Sequence, residues 1–216
     1  METFLQVWPV LWMSLQVSGL AVLISSLIGL PFGVWMGLSQ FSGKSLIVSL
    51  VHTGMALPPV VVGLLLYLLL SRSGPLGSLG WLFSPQAMIL AQIVLDLPFV
   101  IGITMIAVAS VPAELPGQLR SLGATPNQVR WEIVREARAG LLLAVATAFG
   151  RSLSEVGAVW LVGGNIEGQT RVLTTAIVLE TGKGNFSVAL SLGAILLIVA
   201  LIINLFLVRF QWRVLP

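Results

Sequence analysis

Two charged residues stand at a spacing that could carry chemistry within an apolar part of this chain. Arg151 and Glu155 lie four residues apart, so on a helix their side chains share one face. Charges in such a setting are costly and are usually paired. The spacing predicts one of two arrangements. Either the two side chains form a structural ion pair, or Arg151 lines or gates a path for anions.

The other reactive side chains give little support for catalysis. The chain has one histidine, His52, and no cysteine, so neither thiol chemistry nor a Ser–His–Asp set with plausible geometry is available. Asp96 lies two residues before Pro98. We expect it to cap backbone groups that the proline disturbs, with a proton relay as the alternative. The chain is predicted not to be an enzyme and to bind no metal or cofactor.

The composition is that of an integral membrane protein. Of the 216 residues, 57% are hydrophobic and only 9% are charged, against about 25% charged in a soluble domain. A membrane-spanning helix needs about 20 apolar residues. We therefore predict an all-α integral membrane protein with a single domain, 1–216. About five transmembrane helices are expected, and a sixth is left open: 9–38, 46–71, 86–111, 138–162 and 186–209.

The distribution of basic residues predicts the orientation in the membrane. Loops on the cytoplasmic side carry an excess of Lys and Arg. With the N-terminus outside and the C-terminus in the cytoplasm, three basic residues lie outside: Arg72, Arg171 and Lys183. Seven then lie inside: Lys44, Arg120, Arg130, Arg135, Arg138, Arg209 and Arg213. The small excess of basic over acidic residues does not imply binding to nucleic acid, and no nucleic-acid partner is predicted.

The longest polar interruption is the loop 112–138, which this orientation places in the cytoplasm. Its sequence predicts two short helices. Gly123 suits the left-handed position that ends the first. Thr125 can cap the second, with Pro126 in its first turn and Gln128 completing a capping box. The loop is either a docking element for another protein or an amphipathic helix that packs on lipid headgroups.

Irregular segments supply further candidates for a pathway or gate. Adjacent prolines in the second span should kink or unwind it, and Pro98 could do the same in the third. The segment 162–185 is too polar for a full span. It is either a short helix that dips into the membrane from outside or a plain outer loop. Together with Arg151 and Glu155, the candidates are Pro58, Pro59, Ser154, Asn165, Thr174 and Thr175.

Three motifs resemble those of a known family. Residues 119–126, LRSLGATP, resemble the cytoplasmic signature loop of bacterial ABC importer permeases, which docks into the nucleotide-binding subunit. Residues 150–158, GRSLSEVGA, resemble the molybdate, tungstate and sulfate branch, and residues 57–65, LPPVVVGLL, are closest to tungstate permeases. Two departures concern the loop: residues 117–119 replace the usual Glu-Ala-Ala, and residues 135–136 replace Leu-Pro.

The resemblance implies a type I ABC importer permease fold and a definite set of partners. Two copies of the chain would form a homodimer in contact with membrane lipid. A separate ABC ATPase subunit would use ATP, because the chain has no GxxxxGK[ST] motif. A periplasmic or lipoprotein binding protein would deliver the substrate, which is expected to be tungstate or a similar tetrahedral oxyanion such as molybdate. The docking residues would be Arg120, Leu122, Gly123, Ala124 and Pro126.

The expected location is the bacterial cytoplasmic (inner) membrane, crossed several times. The alternative functions are a membrane scaffold subunit with no transport path, and a stand-alone channel or secondary transporter. The latter class is expected to show repeated halves or a set of ionisable residues embedded in the membrane, and neither is visible in the sequence.

Overall fold

The computed structural model describes residues 2–212, and within that range the regular elements are α-helices and one short 3₁₀ turn, 77–79. Arg213, which was counted among the cytoplasmic basic residues, lies outside the described residues. The helices are α1 (Glu2–Leu38), α2 (Lys44–Met55), α3 (Pro59–Leu70), α4 (Pro85–Ala109), α5 (Leu115–Ser121), α6 (Pro126–Glu136), α7 (Arg138–Ser154), α8 (Gly157–Gly163), α9 (Leu173–Gly182) and α10 (Phe186–Trp212).

Three of these helices are long and apolar enough to cross a membrane by themselves: α1, α4 and α10. Two further spans arise if each of two bent helix pairs, α2–α3 and α7–α8, is counted as a single span. The axes of α2 and α3 differ by 96°, and those of α7 and α8 differ by 58°. Counted this way, the described chain has five spans. The prediction of an all-helical membrane protein with about five spans is therefore confirmed.

The break between α2 and α3 has a simple chemical cause. Pro58 lies in the extended region, with φ −66° and ψ 122°, and Pro59 is the first residue of α3. Proline has no backbone N–H to donate into a preceding turn, but its fixed φ suits the start of a helix. The predicted interruption of the second span at these prolines is confirmed. Pro98, by contrast, lies inside an unbroken α4.

Glycines let α1 and α4 approach each other closely. A β-carbon on Gly33 would lie 2.7 Å from Cβ of Thr104 and 2.8 Å from the carbonyl oxygen of Ile101. Gly29 and Gly37 repeat this approach one turn on either side, where a β-carbon would meet the next α4 side chains at 2.8 and 2.7 Å. This glycine stripe places α4 in the middle of the helix bundle, where its polar residues are buried.

Candidate functional site

The turn of the polar loop has the geometry of a Schellman motif. Gly123 has φ +86° and donates its N–H to Arg120 O at 3.0 Å, while Ala124 donates to Leu119 O at 3.0 Å. These two bonds satisfy carbonyls that the end of α5 would otherwise leave free. A side chain at position 123 would be strained, because residues with a β-carbon resist this conformation. The predicted role of Gly123 in ending the first loop helix is confirmed.

The second loop helix starts with the predicted capping box. The N–H of Gln128 donates to Oγ1 of Thr125 at 3.4 Å, and the N–H of Thr125 donates to Oε1 of Gln128 at 2.8 Å. Pro126 occupies the first turn of α6. Both ends of the four-residue connection between α5 and α6 are thus held by hydrogen bonds, so the two helices form one defined unit.

This unit is anchored to the membrane helices by apolar contacts. Val129 and Ile133 of α6 are buried in a cluster with Val108, near the end of α4. Leu119 and Ala124 pack against the same cluster. A force applied to the loop would therefore act directly on the end of the central helix α4.

The loop also carries apolar residues that the rest of the described chain leaves exposed. Leu122 is 83% exposed and Trp131 is 70% exposed. Trp131 and Leu119 line a shallow depression together with polar residues of α6. Of the predicted docking residues, Arg120, Leu122, Gly123 and Pro126 are exposed and Ala124 is half-buried. A turn that is held by hydrogen bonds and carries exposed Leu and Trp side chains suits a protein partner.

A second polar site lies inside the membrane part, where the fourth span breaks. Helix α7 ends at Ser154, and Glu155 has an extended backbone with ψ 132°. The Glu155 side chain is 8% exposed, and its Oε1 accepts the N–H of Ala158 at 3.0 Å. Glu155 therefore caps the start of α8. Its carboxylate accepts a backbone N–H that the break would otherwise leave without a partner.

Side chains from two other helices satisfy carbonyls at this break. Gln92 of α4 donates Nε2 to Ser152 O at 2.9 Å, and Thr174 of α9 donates Oγ1 to Glu155 O at 2.9 Å. Ser14 of α1 accepts the N–H of Leu173 at 2.8 Å, which ties the start of α9 to α1. Three helices, α1, α4 and α9, thus converge on the broken span.

The predicted ion pair between Arg151 and Glu155 is wrong. Among the described residues, the ion pairs are Arg135–Glu132, Arg171–Glu167 and Lys183–Glu180. The helix ends between Arg151 and Glu155, so the two side chains do not share a continuous helical face. Instead, Cζ of Arg151 lies 4.7 Å from the ring centroid of Phe99.

Asp96 does not cap the backbone near Pro98, so that prediction is also wrong. Its side chain is 1% exposed, and neither carboxylate oxygen makes a hydrogen bond of ordinary geometry with the described residues. Asp96 lines a small cavity with Gln92, Arg151, Ser152 and Glu155. The buried carboxylate therefore faces the polar break in α7–α8.

The two helix breaks of the molecule lie against each other. A β-carbon on Gly157 would lie 2.7 Å from Cγ2 of Val60, and one on Gly63 would lie 2.7 Å from Cα of Ala158. The starts of α3 and α8 therefore pack side by side. The structure thereby brings the break at Pro58 and Pro59 close to the break at Glu155.

Three predicted residues lie apart from this cluster or act locally. Ser154 is exposed, and its hydroxyl donates to Arg151 O within its own helix. Thr175 accepts the N–H of Val172 at 3.1 Å and so caps α9. Asn165 lies beyond the far end of α8 with φ +51°. The segment 162–185 contains a short apolar helix, α9, and the entry of this helix into the membrane from outside stays a prediction.

Several residues of the site were not identified in the sequence. Gln92, Ser152, Ser14 and Ser18 are buried at the break, and Asp96 was assigned another role. Ser14 and Ser18 are four residues apart, as are Gln92 and Asp96. A polar stripe at helical spacing in two apolar spans was a signal that could have identified them.

Comparison with known proteins identifies relatives along most of the chain. Residues 29–215 match the model of the family described as "Binding-protein-dependent transport system inner membrane component". A probable anion ABC transporter permease protein of Haloferax volcanii is 46% identical over 93% of this chain and 88% of its own length. The tungstate uptake system permease protein of Peptoclostridium acidaminophilum is 40% identical over 92% and 87%.

More distant matches extend the comparison to molybdenum transport and to solved structures. The molybdenum transport system permease protein of Escherichia coli K12 is 35% identical over 79% of this chain and 78% of its own length. A chain of the inward-facing MetNI methionine ABC transporter superimposes with a TM-score of 0.81 and 20% identity, covering 100% of this chain and 99% of that one. The fold is that of type I ABC importer permeases, and the chain belongs to the family of binding-protein-dependent transport system inner membrane components.

Proposed function

We propose that this chain is the transmembrane subunit of an ABC importer that moves tungstate, or a similar tetrahedral oxyanion such as molybdate, into the cytoplasm. The observation that carries the proposal is the α5–α6 unit. Its Schellman turn and capping box hold Leu122 exposed, and its buried face is joined to the end of α4. The similarity to tungstate and molybdenum permeases supports the substrate class.

The proposed assembly contains two copies of this chain, a separate ABC ATPase and a periplasmic or lipoprotein oxyanion-binding protein. The α5–α6 unit docks on the ATPase through Arg120, Leu122, Gly123, Ala124 and Pro126. ATP binds to the ATPase, so this chain performs no hydrolysis and holds no cofactor. The loop faces the cytoplasm, the N-terminus lies outside, and the exposed apolar face of α10 contacts lipid or the second copy.

The translocation path is proposed to pass the polar break of the fourth span. Arg151 supplies a positive charge beside the buried acids Asp96 and Glu155, which weaken its hold on a dianion that must cross briefly and leave again. A path with a single embedded cation avoids a tight anion site, which would slow release. Movement of the loop would act through α4, whose Gln92 holds a carbonyl of the α7–α8 break. The packed breaks near Pro59 and Glu155 are the proposed gate.

The test is to reconstitute this chain into vesicles with the ATPase, ATP and the binding protein. Each of these three components is then omitted in turn. Tungstate uptake should require all of them together. Replacing the tungstate-binding protein by a molybdate-selective one that docks on the same permease should change which oxyanion enters. Substantial tungstate flux through the permease alone would favour the stand-alone channel or secondary transporter instead.

A further inference from the structure

A groove separates the end of α1 from the outer edge of α6. Its wall on α1 is apolar and includes Pro31, Val34 and Trp35. Its wall on α6 includes Arg130 and Trp131. The α1 side lies within the membrane span Val7–Leu38, while α6 belongs to the polar loop. The groove therefore joins the end of a membrane-spanning helix to the polar loop.

Aromatic rings concentrate at this end of α1. Trp35 stacks on Phe41, with ring centroids 5.0 Å apart, and lies 5.3 Å from the ring of Phe32. Trp35 is 46% exposed, and Trp131 faces the groove from the other wall. Tryptophan prefers the boundary between acyl chains and headgroups, since its ring is apolar and its indole N–H is a donor. The rings mark this end of the groove as the headgroup level.

Two basic side chains lie at the same level. Arg130 is exposed, lines the groove and has no ion-pair partner among the described residues. Lys44 donates Nζ to the carbonyl oxygen of Ser39 at 2.8 Å, and Ser39 lines the groove as well. The nearby acid Glu132 is paired with Arg135 at 3.7 Å. The groove mouth therefore has positive charge that nearby acids do not neutralise.

We infer that this groove binds one anionic phospholipid of the adjacent leaflet. The phosphate accepts hydrogen bonds from Arg130, and an acyl chain lies along the apolar wall of α1. A soluble phosphate would use Arg130 but leave the apolar wall uncovered, whereas a zwitterionic lipid would cover that wall without matching the charge. A bound lipid would also support α6 from the side of Trp131, which links lipid composition to the position of the docking loop. Placing the groove in the cytoplasmic leaflet rests on the proposed orientation.

The test uses the full chain, purified in detergent with its own lipid removed, and native mass spectrometry. Phosphatidylglycerol and phosphatidylcholine with identical acyl chains are added separately. The variants are Arg130→Gln and Arg130→Lys, with Arg72→Gln as the charge-matched control, because Arg72 is exposed, lies outside the groove and has no ion-pair partner among the described residues. We expect phosphatidylglycerol to bind more tightly than phosphatidylcholine. Arg130→Gln should weaken the binding of phosphatidylglycerol about fivefold, while Arg130→Lys and Arg72→Gln should keep most of the affinity.

Three results would overturn the inference. Equal binding of the two lipids to the unmodified chain would show that the groove does not select an anionic headgroup. An equal loss in Arg130→Gln and Arg72→Gln would show an effect of overall charge only. Unchanged lipid binding in Arg130→Gln together with loss of a co-purifying ATPase would assign the groove to that protein. Because lipid binding is measured without substrate, failure of the oxyanion proposal leaves this readout intact.

Discussion

At the scale of single residues, the two charged residues of the fourth span, Arg151 and Glu155, make separate contacts. Glu155 accepts a backbone N–H from α8, and Arg151 lies over Phe99. Their spacing of four residues suggested mutual neutralisation, but the helix ends between them. The cost of burying Glu155 is offset in part by a charge-assisted hydrogen bond rather than by an ion pair.

Removing the acceptor at Glu155 should destabilise the permease. In Glu155→Leu the buried N–H of Ala158 loses its partner, at a cost of about 1–3 kcal/mol. Glu155→Gln keeps an oxygen in the same place and should cost less. Ser154→Ala is the control, because that exposed hydroxyl bonds only within its own helix. Thermal unfolding in detergent measures the difference. Wild-type stability in Glu155→Leu would contradict the capping role.

Arg151→Gln should impair transport more than stability. The guanidinium contact with Phe99 is worth about 0.5–1 kcal/mol when exposed and more when desolvated, so we expect only a small shift in melting temperature. If the oxyanion passes this charge, initial tungstate uptake should fall about tenfold, the equivalent of one interaction of about 1.4 kcal/mol. Uptake is measured in the complete reconstituted system, with exposed Arg72→Gln as the control. Normal uptake by a stable Arg151→Gln protein would remove Arg151 from the path.

At the scale of helices, the packing of α1 on α4 and the turn between α5 and α6 depend on glycines for different reasons. The α1 stripe provides room for α4, whereas Gly123 provides a backbone conformation. Substitutions at the two kinds of position should therefore have different consequences, one for folding and one for assembly.

Gly33→Ala should weaken the α1–α4 interface. The new β-carbon would lie 2.8 Å from a backbone oxygen of α4, so the helices must separate, at a cost of about 1–3 kcal/mol. Gly19→Ala on the same helix is the matched control, since nothing lies within 4 Å of its β-carbon position. The melting temperature should fall for Gly33→Ala alone. Equal melting temperatures for the two variants would show that α1 and α4 tolerate a wider separation.

Gly123→Leu should leave the chain folded in the membrane but weaken its association with the ATPase. The left-handed backbone at φ +86° costs a residue with a β-carbon about 1–2 kcal/mol, so the turn between α5 and α6 should rearrange. Gly117→Leu is the control in the same loop, because its β-carbon position is open and its backbone is helical. Co-purification and stimulated ATP hydrolysis measure docking. A fully stimulated complex containing Gly123→Leu would contradict the docking assignment.

At the scale of the whole molecule, the orientation can be tested directly because the chain has no cysteine. Single cysteines at the exposed positions Ser73, after α3, and Ser121, at the end of α5, lie on the two predicted sides. A maleimide that cannot cross the membrane should label Ser73→Cys in intact cells, and Ser121→Cys only after lysis. The opposite pattern would reverse the topology and place the docking loop outside.

The sequence by itself determined the membrane class, the approximate spans and the loop geometry. Each depends on local chemistry: apolar runs of sufficient length, prolines without an N–H, and a glycine three residues before Pro126. The polar break in the fourth span was decided only by tertiary structure. Gln92, Thr174 and Ser14 are far apart in the chain and meet because α4, α9 and α1 converge there. The α7 helix can end at Ser154 because Gln92 and Thr174 bond the carbonyls of Ser152 and Glu155, and local sequence does not show which distant side chains will meet at a helix end.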